Sequence, residues 1–298
     1  MKKATLALLL LLGLLSCKDT PSTTTGTETT GTTGTETTEK TAELPSVYRL
    51  SLAQWSLNKP IFAGTKDPMD FASDAKNMGF EGLEYVSQLY TNEAVKFPMK
   101  GAGLQNILEE LKRRSDSLGM RNVLIMVDGE GDLSFSDGAA TQTAIENHKK
   151  WIDAAAFLGC HSIRVNLFGE EDPEAWEKNS VAALKQLGAI AAEKNINIIV
   201  ENHGGHSSHG ARLARVMQQV AMDNVGTLPD FGNFCVAREG GERWGAPCVE
   251  TYDMYQGIKE IMPYAKGVSA KSYAFDEQGN ETKIDYHKMM QLLKALWA

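Results

Sequence analysis

The sequence predicts an α/β protein, specifically a (β/α)8 barrel that lacks its last strand. Strand-like and helix-like segments alternate through residues 45–298, and each strand turns polar on one face near its carboxyl end. Repeated βα units indicate a parallel sheet, because each crossover helix returns the chain to the same end of the sheet. The strand candidates are residues 48–53, 82–86, 122–127, 162–167, 197–201, 226–230 and 267–271.

Amphipathic helices are predicted between these strands. The segment that begins near Ser208 places apolar residues at the i, i+3, i+4, i+7 spacing of a half-buried helix. Two further helices are predicted over residues 141–158 and 174–194. Gly119 and Gly159 each follow a helical pattern and precede a strand, which is the position of a helix-ending glycine.

The polar residues distinguish a barrel from an open doubly wound sheet. In SIRVNL, residues 162–167, Arg164 and Asn166 alternate with apolar residues, and NIIVE, residues 197–201, ends in Glu201. A sheet covered by helices on both sides favours apolar residues on both faces. In a barrel the inward residues near the carboxyl ends of the strands build the active site, so the alternation favours a barrel.

The number of strands is one short of a closed barrel. After the seventh candidate the sequence stops at QLLKALWA, inside what reads as the seventh helix. An open barrel exposes the edges of two strands. We therefore expect that this sequence is truncated before the last strand.

The residues before the barrel are typical of an exported lipoprotein. Lys2 and Lys3 precede an apolar run too short to span a bilayer, which closes on LLSC at Cys17. LLSC resembles the bacterial lipobox, which implies a signal peptide over residues 1–17, cleavage before Cys17 and lipid attachment to its sulfur; an ordinary secretory signal is the alternative. Residues 18–44 are rich in Thr, Gly and Glu and predict a disordered tether. We expect a domain tethered to a membrane, in the periplasm or at the cell surface, that contacts the membrane only through its lipid.

The charge of the chain bears on its partners, and its cysteines bear on disulfide formation. The chain has 30 Lys and Arg against 38 Asp and Glu, a net charge of −8, and removal of Lys2 and Lys3 with the signal leaves −10. Such an acidic protein is a poor partner for nucleic acid, which binds to clustered Lys and Arg. An exported protein can form disulfides, and Cys235 with Cys248 is a candidate pair that the sequence alone leaves open.

Many ionisable side chains are predicted to converge at the carboxyl ends of the strands. Burying them without partners is costly, so they must neutralise one another, hold a cation or bind a polar substrate. Glu201 and Asp230 end neighbouring strands and would repel each other unless a cation lies between them. The inward set consists of Trp55, Glu84, Asp128, Arg164, Asn166, Glu201, His203, Asp230 and Lys271.

Some of these side chains have simpler interpretations. Glu84 has the alternative role of an ion-pair partner for Arg164, and Asn233 has that of capping the turn in LPDFGNF. His206 and His209 lie beyond a glycine hinge and are interpreted as solvated or helix-capping residues.

Five motifs, in this order and spacing, resemble the xylose isomerase-like TIM-barrel superfamily, which includes sugar-phosphate isomerases and epimerases and shares its fold with endonuclease IV-type enzymes. They are GFEGLEYV, LGCHSIRVN, INIIVENHGG, GTLPDFGNF and VSAKSY. The resemblance implies a divalent metal (Mn²⁺, Co²⁺, Mg²⁺ or Zn²⁺) bound by a Glu, an Asp, a His and a last Glu. Glu201 and Asp230 match the first two ligands, Lys271 stands where the His is expected, and the last Glu would follow the end of this sequence. Either the metal site is remodelled, with His203 or Asn233 as a ligand, or Lys271 replaces the cation.

The same resemblance implies chemistry at a sugar carbonyl. Glu201 would remove the proton alpha to the carbonyl, while Lys271 and His203 would face the oxyanion or hydroxyls. The substrate-binding residues would be Trp55 against the sugar ring, with Glu84, Arg164, Asn166 and Asn233. The alternatives are elimination from 3-keto-glycosides, a non-catalytic sugar-binding lipoprotein and, least favoured, an endonuclease acting on abasic DNA.

Overall fold

Strands and helices alternate along the part of the chain that the structure describes, residues 48–296 of a computed structural model. The predicted signal peptide, Cys17 and the tether lie outside the described residues. The strands are β1 Ser51–Ala53, β2 Gly82–Val86, β3 Arg121–Met126, β4 Ser162–Val165, β5 Asn197–Glu201, β6 Val225–Leu228, β7 Cys235–Arg238 and β8 Cys248–Thr251. The α-helices are α1 Asn58–Phe62, α2 Phe71–Asn77, α3 Gln88–Thr91, α4 Leu104–Leu118, α5 Gly138–Leu158, α6 Pro173–Ala192, α7 Gly210–Val220, α8 Met254–Ile261 and α9 Tyr286–Leu296.

The main sheet is parallel and follows the order of the chain. Strands β1 to β6 pair consecutively, each with the next, and all five pairings are parallel. A doubly wound sheet reverses its strand order at a switch point, whereas a barrel adds its strands in sequence. The observed order is that of a (β/α)8 barrel, as the residue alternation predicted.

Local sequence signals explain where the long helices begin and end. Asp137 and Asp172 precede α5 and α6. The Asp137 carboxylate accepts two backbone N–H groups of the first helical turn, and the Asp172 carboxylate accepts one. Gly119 and Gly159 follow α4 and α5 with φ of 65° and 80°, the left-handed conformation that glycine adopts most readily. The helix-ending role predicted for both glycines is confirmed.

The seventh predicted strand, residues 267–271, does not form a regular strand. Ser269 makes an isolated parallel bridge to Asp230, and Ala265 makes one to Thr227. Phe231 N–H donates to the Ser269 carbonyl at 3.1 Å, so a regular ladder would need residue 229 to donate to residue 267 in the same way. Residue 229 is a proline and has no N–H, so the ladder is interrupted there.

The apolar core lies between the sheet and the helices. Ile163, Val165, Ile198 and Val200 are fully buried among the helices that cover β4 and β5. A second, smaller cluster beneath α8 and α9 is formed by Phe231, Phe234, Ile258, Met262, Ile284, Met289 and Leu293. Among the described residues, no helix combines the length and the apolar character that crossing a membrane requires.

A two-stranded hairpin extends from the chain between β6 and α8. Strands β7 and β8 pair antiparallel, and a disulfide joins Cys235 to Cys248. The cysteine pair that the sequence left open is therefore formed. It closes the loop that carries residues 236–247.

Candidate active site

The carboxyl ends of β3 to β6 bring four charged side chains together. Arg164 in β4, Glu201 at the end of β5 and Asp230 after β6 are 3%, 6% and 1% exposed, and Asp128 follows β3. Arg164 Nη1 donates to Asp128 Oδ1 at 2.8 Å, while its Nε lies 3.0 Å from Glu201 Oε2. The Nε–H is not directed at that oxygen and makes no hydrogen bond, so this second contact is an ion pair only. Arg164 thus neutralises carboxylates on both sides of its strand.

Glu201 and Asp230 share a hydrogen-bonding neighbour, Asn233. The Asn233 side-chain amide donates to Glu201 Oε1 at 3.1 Å, and its backbone N–H donates to Asp230 Oδ1 at 2.9 Å. Gly232 N–H donates to the same Asp230 oxygen, and the Ser269 hydroxyl donates to Asp230 Oδ2 at 2.7 Å. The predicted convergence of the two carboxyl groups is present in the structure.

Burial makes both carboxyl groups weaker acids than usual. Burial first, and then the charge of Glu201, raise the pKa of Asp230 to about 6, against the opposing charge of Lys271. Burial also raises the pKa of Glu201, although the charges of Arg164 and Lys271 oppose that shift. Raised carboxyl pKa values of this kind are typical of sites that transfer protons.

His203 is held as a neutral imidazole. Its Nδ1 lies 2.9 Å from Asn166 Oδ1, which only accepts, so Nδ1 carries the proton and Nε2 is left as an acceptor. The Asn166 amide in turn donates to Asp128 Oδ1 at 2.7 Å, which fixes the amide orientation. Burial and the nearby charge of Arg164 lower the pKa of His203 to about 3.

Lys271 enters the site from the segment that replaces the seventh strand. Its Nζ donates to Asn233 Oδ1 at 3.0 Å, and its positive charge is felt by both Glu201 and Asp230. Lys271 thus lies beside the carboxyl pair, as the alternation in GVSAK predicted.

Glu84 is buried, whereas Trp55 is partly exposed to solvent. Glu84 is 9% exposed and accepts a hydrogen bond from the Ser51 hydroxyl, and burial raises its pKa, with the charge of Glu201 adding to that rise. Arg164 pairs with other carboxylates, so the alternative of a Glu84–Arg164 ion pair is wrong. Trp55 is 42% exposed and its ring edge contacts Phe62, with a centroid distance of 6.3 Å.

His206 and His209 contact the chain outside the cluster. His206 Nε2 lies 2.7 Å from the Glu171 carbonyl, and its ring packs on Trp176. His209 precedes α7 but makes no side-chain capping bond, and its ring packs on Tyr252. Both are peripheral to the carboxyl pair, as predicted, but the helix-capping interpretation of His209 is wrong.

Sequence reasoning missed two residues that organise the site. Asn202 is fully buried, donates to the carbonyls of Asp230 and Asn233, and accepts the Asp230 N–H at 2.7 Å, so it ties β5 to the loop after β6. Trp244 at the tip of the hairpin packs on His203, with ring centroids 4.8 Å apart. Asn202 follows Glu201 directly and was a detectable polar residue in a buried strand end, whereas no local pattern indicated where Trp244 would lie.

Comparison with known proteins identifies the family. The sequence model described as xylose isomerase-like TIM barrel matches residues 72–296, three quarters of the chain. The protein belongs to this family. No curated protein matches the sequence.

Solved structures of the same fold include several sugar epimerases. A D-psicose 3-epimerase from Clostridium cellulolyticum H10, crystallised with D-tagatose, superposes with a TM-score of 0.59 at 13% identity, covering 78% of this chain and 76% of that one. A 3-keto-D-glucoside 4-epimerase from E. coli gives a TM-score of 0.56 at 15% identity, with coverage of 76% and 82%. An IolI protein crystallised with a zinc atom gives a TM-score of 0.60 at 13% identity, with coverage of 84% and 85%. At these identities the likeness establishes the fold.

The residues present do not fit the divalent metal that the resemblance to this family implies. Both Asp230 oxygens accept hydrogen bonds, while Glu201 has one oxygen bonded to Asn233 and the other facing Arg164. Lys271 adds a positive charge beside the pair, which disfavours a bound cation. Within residues 48–296, no group of three or more His, Cys, Asp and Glu side chains is arranged to hold a metal ion.

Proposed function

We propose that this protein is a carbohydrate isomerase or epimerase that removes a proton from the carbon next to a carbonyl. The observation that carries the proposal is the buried pair Glu201 and Asp230, both hydrogen-bonded by Asn233 and flanked by the positive charges of Lys271 and Arg164. A raised carboxyl pKa supplies the base for such a step, and fixed positive charge stabilises the oxyanion that forms. The sugar epimerases that share the fold support the same class of substrate.

Glu201 takes the role of the base. Because burial raises its pKa, its carboxylate holds an abstracted proton better than an exposed carboxylate does. The electron pair of the broken C–H bond moves to the carbonyl oxygen, giving an enediolate. Asp230 is a further proton carrier in the pair, since its pKa of about 6 lies near neutrality.

Positive charge and hydrogen bonds from this chain complete the step. Lys271 Nζ donates to Asn233 and retains further N–H groups for a developing oxyanion. His203 Nε2 accepts a hydrogen bond from a substrate hydroxyl, because its other nitrogen is committed to Asn166. The roles that a metal would have are thus assigned to Lys271 and Arg164.

The sequence also left open two alternative functions, elimination from 3-keto-glycosides and sugar binding without catalysis. Among residues 48–296, no arrangement of side chains favours elimination from 3-keto-glycosides over proton transfer within one sugar. Sugar binding without catalysis needs the same hydrogen-bonding groups but not the raised pKa of Glu201. Exchange of a C–H proton of the sugar with solvent therefore distinguishes an enzyme from a protein that only binds sugar.

The experiment compares wild type with Glu201→Gln in deuterated buffer. D-tagatose, D-psicose and a methyl 3-keto-D-glucoside are incubated with each protein, and exchange of the proton alpha to the carbonyl is followed by NMR. We expect wild type to catalyse exchange with at least one sugar and Glu201→Gln to lower the rate by about 10²–10⁴-fold, the usual contribution of a positioned base.

The matched control is Glu146→Gln, which changes a half-exposed carboxylate on the surface of α5 and should leave exchange unchanged. Exchange that survives in Glu201→Gln would rule out Glu201 as the base. Binding of a sugar to wild type without any exchange would support the non-catalytic reading instead.

We also propose that the protein acts outside the cytoplasm, as its predicted lipoprotein signal indicates. The Cys235–Cys248 disulfide supports this location, because disulfides persist in oxidising compartments.

A further inference from the structure

The hairpin between β6 and α8 has a tip that is held in place by bonds within it. The disulfide closes its base, Arg238 Nη1 donates to the Ala246 carbonyl at 2.7 Å, and Glu239 N–H donates to the Pro247 carbonyl at 3.0 Å. Residues 239–247 therefore form a shaped loop with its own cross-links. We refer to these residues as the hairpin tip.

The hairpin tip is fastened to loops that follow two other strands. Arg243 makes a two-pronged ion pair with Asp132, after β3, at 3.0 and 2.6 Å. The Arg243 guanidinium also lies 4.3 Å from the centre of the Phe168 ring, after β4. These contacts hold the tip over the carboxyl ends of the strands, where the candidate active site lies.

Trp244 is consequently positioned beside the carboxyl cluster. Its ring centroid lies 4.8 Å from that of His203 and 5.6 Å from that of Phe168, which it meets edge to face. Trp244 remains 48% exposed, so part of the indole is open to solvent next to His203. Trp55, the aromatic residue that the sequence indicated for this role, is 42% exposed and meets Phe62 edge to face.

An exposed indole bordered by hydrogen-bonding groups suits a carbohydrate ring. The C–H face of a sugar buries apolar surface against the indole, while hydroxyls bond to groups at its edge such as His203 Nε2. Both arginines nearby are already paired, since Arg243 faces Asp132 and Arg164 faces both Asp128 and Glu201. The remaining positive group, Lys271, donates to Asn233 beside the carboxyl pair, where the proposed chemistry places the carbonyl oxygen of the substrate. A phosphate is recognised by Arg side chains that are free to bond it, so this arrangement favours an uncharged sugar.

We propose that Trp244 is the stacking platform for a neutral carbohydrate ring, and that the disulfide-closed hairpin makes the site selective for neutral sugars over sugar phosphates. This inference rests on the proposed function and names its substrate class. The indole lies against His203, which is linked through Asn166 and Asp128 to Arg164, the ion-pair partner of Glu201.

The test measures binding of two matched probes, D-tagatose and D-tagatose 6-phosphate, to the full-length protein by calorimetry. Wild type should bind D-tagatose at least about tenfold more tightly than its phosphate. Trp244→Ala should weaken D-tagatose binding by about tenfold, the effect of losing some 60 Å² of apolar contact at 25 cal/mol per Å². Trp244→Phe, which keeps an aromatic face, should recover most of the affinity.

Val249→Ala is the control, because Val249 lies on the same hairpin, is 65% exposed and faces solvent. Its affinity should equal that of wild type. Equal affinities of Trp244→Ala and Val249→Ala, or tighter binding of the phosphate, would overturn the inference. A loss of binding in Trp55→Ala but not in Trp244→Ala would also overturn it and move the platform to Trp55.

Glu201→Gln separates this inference from the proposed function. If Trp244 is the platform and Glu201 is the base, Glu201→Gln still binds D-tagatose while solvent exchange is lost. If wild type binds neither probe, both the proposed function on sugars and the inference about Trp244 are disproved. If binding depends on Trp244 but wild type shows no exchange, the inference stands and the enzymatic proposal falls.

Discussion

At the residue scale, the candidate site is a balance of buried charges. Arg164 stands between Asp128 and Glu201, and Lys271 lies beside the pair formed by Glu201 and Asp230. Removing one member of such a network leaves an uncompensated buried charge, so each substitution here affects its neighbours. Lys271, at the position where the family resemblance implies a histidine, places a positive charge beside this pair, which disfavours a bound cation.

We predict that Lys271→His restores the capacity to bind a divalent ion. The substitution removes a positive charge next to Glu201 and Asp230 and adds an imidazole nitrogen, a preferred ligand of Zn²⁺ and Mn²⁺ sites. Differential scanning fluorimetry with and without millimolar MnCl₂ or micromolar ZnCl₂ measures the effect, because a ligand that binds the native state raises Tm. We expect a rise in the variant and no rise in wild type.

Lys266→His is the matched control for added histidine. Lys266 donates to the Asp223 carbonyl, outside the carboxyl cluster, so its replacement should give no response to either ion. Stabilisation of wild type by Mn²⁺ would show that the carboxyl pair accepts a cation despite Lys271.

At the element scale, the packing of α7 against α8 depends on two glycines. A Cβ at Gly210 would lie 2.5 Å from the Cα of Gly257 and 2.6 Å from Glu260 Oε2. The first of these contacts is with backbone, which cannot move aside as a side chain can. Helices α7 and α8 approach this closely because Gly210 has no side chain, whereas the absence of a side chain at Gly257 leaves room for the Phe234 ring.

We predict that Gly210→Ala destabilises the protein by about 1–3 kcal/mol, the usual cost of overpacking. The control is Gly138→Ala at the start of α5, where nothing lies within 4 Å of an added Cβ. That change should be neutral, or should stabilise by about 0.4–1 kcal/mol through the unfolded state. Urea unfolding of both variants measures the difference, and equal stabilities would contradict the close approach of α7 and α8.

At the scale of the whole molecule, the acidic composition bears on the class of partner, and the predicted lipid anchor bears on the cellular location. The net charge of −8 argues against a nucleic-acid partner, which stays a prediction. Export and anchoring rest on the sequence of residues 1–17. A disulfide in the described part of the chain agrees with that location.

We predict that the full-length protein fractionates with membranes when it is expressed in a bacterium, and that Cys17→Ser releases it to the soluble fraction or leaves the signal uncleaved. Cys17 is the only residue of LLSC that offers a sulfur for lipid attachment. Immunoblots of membrane and soluble fractions, with labelling by a palmitate analogue, measure both effects. Cys160→Ser serves as the control, since this buried free cysteine has no predicted part in anchoring. Unchanged lipid labelling of Cys17→Ser would disprove the lipobox interpretation.

Most of the main sheet was predictable because strands and helices have local periodicities. Alternation in residues 82–86 and 197–201 predicted β2 and β5 with their observed bounds. Alternation in residues 162–167 and 197–201 predicted that Arg164 and Glu201 lie on the inward face, and both are buried. The prediction failed at residues 267–271, where the pattern resembled a strand but the partner contained Pro229. Strand formation depends on the donors of the neighbouring strand, which a strand's own sequence does not show.

The sequence by itself determined the class of fold and the set of ionisable residues at the carboxyl ends of the strands, because both follow from a period of two or 3.6 along the chain. Tertiary structure decided how those residues pair. Arg164 faces Asp128 and Glu201 rather than Glu84, and Arg243 reaches Asp132 across 111 residues of sequence to hold Trp244 over His203. Such contacts depend on how distant loops meet in space, and no local periodicity specifies that.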